Sequence, residues 1–269
     1  MIEDGEEIPL VGGDVTEGLV RVGDTVRRPP AERDELVRDV LLYLEKAGFD
    51  GAPRYLGVDS AGRQTLTYVE GEVAGRPRPP WIADEQRAVS VARLLRAYHD
   101  AIEGFGIPPN LPALIEPAGL PPVDDPVELI GHQDVTPENV IFRDGRAFAL
   151  IDFDLVRPVS RAGEVVNLML WWAPFGEDTD LDPELRGLDR PRRCRLLADA
   201  YGLSEPDRRR LMELAMARDA RAWHMMRFRA ETLGGGWQRM WSEGVGDTIR
   251  HRQAWLDEHA DTITTALLA

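Results

Sequence analysis

Apolar positions in the first seventy residues come in short runs. Leu10-Val11, Leu19-Val20-Arg21-Val22 and Thr25-Val26-Arg27-Arg28 are separated by Gly12-Gly13, Gly18 and Gly23-Asp24. Glycines between such runs, the last pair a hairpin turn signal, predict an antiparallel meander. After Pro29-Pro30 the period changes: residues 31–47 place Leu36, Val37, Val40, Leu41 and Leu44 on one face, and Gly48 follows. That spacing predicts an amphipathic helix packed on the sheet. Two further runs, 54–58 and 64–69, complete a predicted sheet of about five strands.

Gly, Pro and Arg then crowd together over residues 71–80, and the pattern beyond is mainly helical. Residues 84–102 carry Val91, Leu94, Leu95 and Tyr98 at helical spacing behind Asp84, a suitable N-cap. From Arg190 onward the period is again helical, interrupted at Gly234-Gly235-Gly236, and the proline-rich stretch 108–122 reads as a loop. The expectation is an α+β protein of two lobes. Residues 1–70 form a sheet-based lobe with one helix, 71–269 a larger helical lobe, and 68–72 the hinge.

A length of 269 residues suits one domain or two tightly joined lobes, and an apolar content of 43% against 29% charged is that of a folded chain. The net charge of −15 repels phosphate backbones and anionic lipid, which argues against nucleic acid or a membrane surface as partner. Cys194 is the single cysteine, so no internal disulfide or thiolate metal cluster forms. The acidic start lacks the pattern of a secretion signal and no long apolar window follows, so a cytoplasmic protein is expected. Lys46 is the only lysine, and any chemistry that needs another side-chain cation must use arginine.

The segment richest in chemistry runs Gly131-His132-Gln133-Asp134-Val135-Thr136-Pro137-Glu138-Asn139, then an apolar run, Asp144-Gly145, a second apolar run, and Asp152-Phe153-Asp154. Asp-Gly between two such runs predicts a tight hairpin. Folding the two strands back brings Asn139 and Asp152 to the same open end, with Asp134 on the loop just before. Asn and Asp oxygens are hard ligands of the kind Mg2+ selects, and an additional Asp can accept a hydroxyl proton during phosphoryl transfer.

These residues resemble the aminoglycoside phosphotransferase family, small-molecule kinases with the protein-kinase-like fold. His132-x-Asp134-x-x-x-x-Asn139 is similar to its catalytic loop, and Asp152-Phe153-Asp154 to its metal-binding segment. Gly12, Gly13, Thr16 and Gly18 fall where the family has its nucleotide loop, and Tyr68-Val69-Glu70-Gly71 resembles its hinge, so that Val69 and Gly71 would meet the base. Glu164 stands where the family usually has a structural aspartate. The resemblance implies ATP, with GTP also open, and Mg2+ as cofactors. It further implies transfer to a hydroxyl of a small molecule, with Asp134 as base, Asn139 and Asp152 on the metal, and His132 and Asp154 in support. A role in antibiotic resistance is one setting this family suggests. A nucleotide-binding pseudokinase that regulates a partner is the alternative.

The phosphate-binding lysine of kinases is replaced here by an arginine of Val26-Arg27-Arg28-Pro29. Strand alternation lets only one of the two face the nucleotide, and the family resemblance implies Arg27. Glu35 is the nearest helix acid to pair with it. The acidic stretches 123–128 and 176–184 would attract a polycationic acceptor, whereas Trp171, Trp172 and Trp223 would suit an apolar one, although the aromatic and methionine-rich stretches read more readily as core.

Overall fold

The computed structural model describes residues 5–10, 18–31, 33–111 and 115–269. Its first part is an antiparallel sheet in the order β1-β2-β3-β5-β4, formed by β1 (Ile8–Pro9), β2 (Val20–Val22), β3 (Thr25–Arg28), β4 (Tyr55–Val58) and β5 (Gln64–Thr67). Helix α1 (Asp34–Lys46) connects β3 to β4 and buries Val37, Val40, Leu41 and Leu44, one stripe at helical spacing, with acids in its first turn and Lys46 in its last.

The helical part begins with α2 (Glu85–Ile102), whose N-cap Asp84 accepts hydrogen bonds from the backbone N–H groups of Gln86 and Arg87 at 2.6 and 3.1 Å. Four short strands follow. β6 (Leu129–Gly131) pairs antiparallel with β9 (Arg157–Val159), while β7 (Val140–Arg143) and β8 (Arg146–Leu150) form a hairpin. Asp144 and Gly145 turn it with φ of 50° and 73°, the left-handed pair that a two-residue turn of this hand requires.

Helices α3 (Arg161–Trp172), α4 (Arg190–Tyr201), α5 (Glu205–Thr232), α6 (Gly235–Ser242) and α7 (Val245–Leu268) complete the described chain. Besides the expected break at Gly234, the chain turns at Gly202 and Gly244, both with positive φ. The α+β architecture is the expected one. None of the helices among the described residues is long and apolar enough to cross a membrane.

Candidate active site

Two loops are held side by side by the short strands. One runs from β6 into β7 and carries residues 132–139, and the other runs from β8 into β9 and carries 151–156. The backbone N–H of Ile151 donates to the carbonyl of Asn139 at 2.9 Å, extending the hairpin by one step, so Asn139 and Asp152 do reach the same open end. Asp134 joins them: the Asn139 Nδ2 donates to Asp134 Oδ2 at 2.6 Å and to its carbonyl at 3.2 Å.

His132 is fully buried beneath this loop, its Nε2 3.0 Å from the carbonyl of Ile151, while the backbone N–H of Asp134 points to its Nδ1 at 3.3 Å. An accepting Nδ1 puts the proton on Nε2, which donates to Ile151. Burial pushes its pKa down to about 4, so the ring is neutral at pH 7 and ties the two loops together without moving protons. Phe153 packs edge-on against it at 4.6 Å.

Gln133 takes the left-handed conformation, φ 63°, and is locked there from α3. Its backbone N–H and its side-chain Nε2 each donate to the Glu164 carboxylate at 2.7 Å. Glu164 is fully buried, and a Cβ on Gly131 would collide with its Oε2. Burial raises the Glu164 pKa while the Gln133 bonds oppose the rise. Trp172 adds a second clamp, its Nε1 donating to the carbonyl of Val135 at 2.9 Å.

Asp152 is also left-handed, φ 62°, and its buried Oδ1 has no hydrogen-bond partner. Burial raises its pKa against the opposing pull of Arg28. A buried carboxylate oxygen that accepts no hydrogen bond, beside an Asn whose amide nitrogen is already committed, fits the oxygen ligands of a hard divalent cation.

The cation facing this pair corrects the sequence expectation. Arg28 Nη2 lies 3.7 Å from Asp152 Oδ1 and contacts Asp154, whereas Arg27 Nε lies 3.7 Å from Asp59 and its Nη1 donates to Thr25 Oγ1 at 2.6 Å. Arg28 pairs across the sheet with Gln64, and Val26 with Leu66, so the face Arg28 shares is the core-facing one. Both arginines are buried, on opposite faces. Glu35 is exposed and does not approach Arg28; the α1 acid whose charge acts on Arg28 is Asp34, after Asp152.

Of the nucleotide-loop candidates, Gly12, Gly13 and Thr16 lie outside the described residues, and Gly18 has φ 83°. At the hinge, Glu72 and Phe142 exchange backbone hydrogen bonds at 2.9 and 2.7 Å. A side chain on Gly71 would run into Ile141 and the carbonyl of Phe142, so only glycine lets the segment lie this close. Val69 is half-buried.

Sequence reasoning missed a cleft of about 450 Å³ beside the loop of residues 132–139. Asn167, which lines it, accepts from the backbone N–H of Val135 at 3.2 Å, and Arg157, which also lines it, donates twice to Gln133 Oε1 at 2.9 and 2.7 Å. Both chain neighbours of Asp134 are therefore held by cleft residues. Met225 and Met226 line this cleft, while Trp172 is core. The acidic stretches are largely tied: Asp125 lies 3.5 Å from Arg210 and 3.6 Å from Arg218, Asp178 contacts Arg190, and Asp182 lies 3.1 Å from Arg78.

No protein-family model matches the chain. It is 34% identical over 209 residues to the trifolitoxin immunity protein of Rhizobium leguminosarum bv. trifolii, covering 76% of this chain and 77% of that one. Among solved structures it is similar to a choline/ethanolamine kinase family protein of Mesorhizobium loti, with a TM-score of 0.61 at 17% identity over 98% of this chain and 92% of that one. The GDP complex of aminoglycoside 2′-phosphotransferase-IIIa gives 0.55 at 16% identity over 94% of each chain. The ethanolamine kinase of Plasmodium vivax gives 0.60 at 12% identity over 93% of this chain and 81% of that one. The chain belongs to the family of the trifolitoxin immunity protein, and its fold is that of the aminoglycoside phosphotransferases and choline/ethanolamine kinases.

Proposed function

We propose that the protein is a phosphotransferase that uses ATP and Mg2+ to phosphorylate a hydroxyl of a small molecule. The observation that carries this reading is the contact of Asn139 with Asp134 at 2.6 Å, beside an Asp152 Oδ1 that accepts no hydrogen bond. Asp134, its carboxylate positioned by the Asn139 amide, would orient the acceptor hydroxyl and take its proton as the phosphoryl group arrives. Arg28, desolvated and close to Asp152, supplies the cation that the sole lysine, at the end of α1, does not. Its planar fork suits two phosphate oxygens at once. Asp152 and Asn139 would hold the Mg2+, which when bound neutralises charge developing on the phosphates. Gln133, Glu164, His132 and Trp172 keep the loop in place before substrate binds, so little reorganisation accompanies reaction. The kinship with an immunity protein supports protection against a toxic compound as the setting.

The test is nucleotide turnover. Wild-type protein releases ADP from Mg·ATP with a hydroxylated acceptor, and Asp152→Ala abolishes release and weakens Mg·ATP binding while the circular dichroism spectrum stays that of the wild type. Magnesium-dependent turnover unchanged in Asp152→Ala contradicts the assignment.

A further inference from the structure

The cleft beside Asp134 carries a charge unlike that of the chain as a whole. Five arginines line it, Arg157 from β9, Arg218, Arg221 and Arg229 from α5 and Arg252 from α7, against three carboxylates, Glu116, Asp125 and Asp219. Each carboxylate is already engaged. Glu116 accepts from Arg221 at 2.8 Å, Asp125 lies 3.6 Å from Arg218, and Asp219 accepts from Arg252 Nε at 2.6 Å. Arg157 and Arg229 remain. Among the described residues neither has a carboxylate within 4 Å: Arg157 bonds only to the neutral Gln133 oxygen, and Arg229 lies over the Trp237 ring at 4.6 Å. In a chain of net charge −15, a cleft with two surplus positive charges is not the product of composition.

Burial lowers the pKa of Arg157 to about 10, with Arg218 and Arg229 pushing it the same way, and burial also lowers that of Arg229. Both guanidiniums remain charged at pH 7. Glu164 and Glu116 offset the burial in part, for Arg157 and Arg229 respectively, but neither touches its arginine; a half-buried cation with no carboxylate in direct contact is costly, and an anion entering the cleft relieves that cost. The remaining wall is apolar, from Leu170, Phe175, Met225 and Met226.

From the surplus of arginines over carboxylates in this cleft we infer that the acceptor is an anion: a hydroxylated small molecule with an apolar body and a carboxylate or phosphate group, which Arg157 and Arg229 bind. The inference rests on the phosphotransferase reading above, since it makes this cleft the acceptor site. It also removes polycationic acceptors from consideration, because their ammonium groups would meet two guanidiniums that no carboxylate contacts.

The experiment uses compounds on one skeleton that differ in charge. Calorimetry measures binding of 3-phenyllactate (anionic), its phosphate-bearing counterpart 3-phenyl-2-hydroxypropyl phosphate (anionic), 3-phenylpropane-1,2-diol (neutral) and phenylalaninol (cationic) to the full chain. At least one anion binds tenfold or more tightly than the diol, phenylalaninol binds more weakly than either, and the preference shrinks between about 50 and 500 mM salt. Which anion binds more tightly separates carboxylate from phosphate recognition. Arg229→Gln, whose melting temperature reports that it is folded, loses at least tenfold in affinity for the preferred anion and nothing for the diol, a split that general damage to the fold would not produce. Phenylalaninol bound as tightly as the anions, no binding of any compound, or an anion preference unchanged in both Arg229→Gln and Arg157→Gln overturns the inference. ADP release with the same four compounds is read separately. Release with phenylalaninol alone overturns the anionic acceptor and leaves the phosphotransferase standing, whereas tight anion binding with no release from any acceptor supports the cleft and removes the phosphotransferase.

Discussion

Gln133 and Glu164 are joined twice, backbone N–H and side-chain amide of the one donating at 2.7 Å to the two carboxylate oxygens of the other. The pair sits between the loop of residues 132–139 and α3, and the same Gln133 side chain presents its oxygen to Arg157 and to Arg218. A single buried acid thereby sets the conformation of the residue before Asp134.

Removing that acid leaves two buried donors and a left-handed Gln133 without support. Glu164→Ala is expected to lower stability by about 3 kcal/mol or more in urea denaturation. Glu164→Asp, which keeps the charge and shortens the reach, recovers part of the loss. A loss below about 1 kcal/mol in Glu164→Ala would contradict the role given to this contact.

His132 makes the fold acid-sensitive. Its folded-state pKa is about 4 against an ordinary value of 6.5, so between those values the unfolded chain binds a proton that the native state does not. Stability is therefore greatest above pH 6.5 and falls as pH drops towards 4, by on the order of 3 kcal/mol from this residue. Buried His99, its Nδ1 2.6 Å from the Tyr201 hydroxyl and its pKa also lowered by burial, acts in the same direction. Melting temperatures from pH 7.5 to 4.5 should fall steadily, with a shallower slope in His132→Asn whatever its absolute stability. Equal slopes would mean that the ring is protonated in the native state.

Arg28 and Arg27 give opposite outcomes. Arg28→Ala is expected to weaken nucleotide binding and to cut turnover at least tenfold, because it removes the cation at Asp152 and Asp154. Arg27→Ala breaks the buried contact with Asp59 instead, so it lowers the melting temperature and leaves nucleotide affinity within about threefold. The reverse ranking in a nucleotide-binding titration contradicts the strand orientation described here.

What could be read from the sequence was local. The Asp144-Gly145 turn fixes which residues of its own hairpin stand opposite, so the meeting of Asn139 and Asp152 followed from spacing alone. The choice between Arg27 and Arg28 did not, because which face of β3 meets the core depends on pairing with β5, almost forty residues onward. Glu35 failed for a related reason: a helix acid is placed by the rotation of the whole helix, and the buried stripe of α1 turns Glu35 outward. The cleft was invisible because its arginines lie on β9, α5 and α7, and an arginine on a helix reads as a solvated charge until the facing element is known. Trp172 read as core, and it is; its bond to Val135 needed the three-dimensional contact.

Asp134 is proposed as the group that orients the acceptor hydroxyl and takes its proton. The most direct measurement is a paired one on wild type and Asp134→Asn: Mg·ATP affinity by titration, and ADP release with an accepted hydroxyl compound. Asp134→Asn should bind Mg·ATP within about threefold of wild type and turn over roughly a hundredfold or more slowly, because a proton acceptor acts on the transition state and not on the nucleotide. Turnover by Asp134→Asn equal to that of wild type would contradict the catalytic reading.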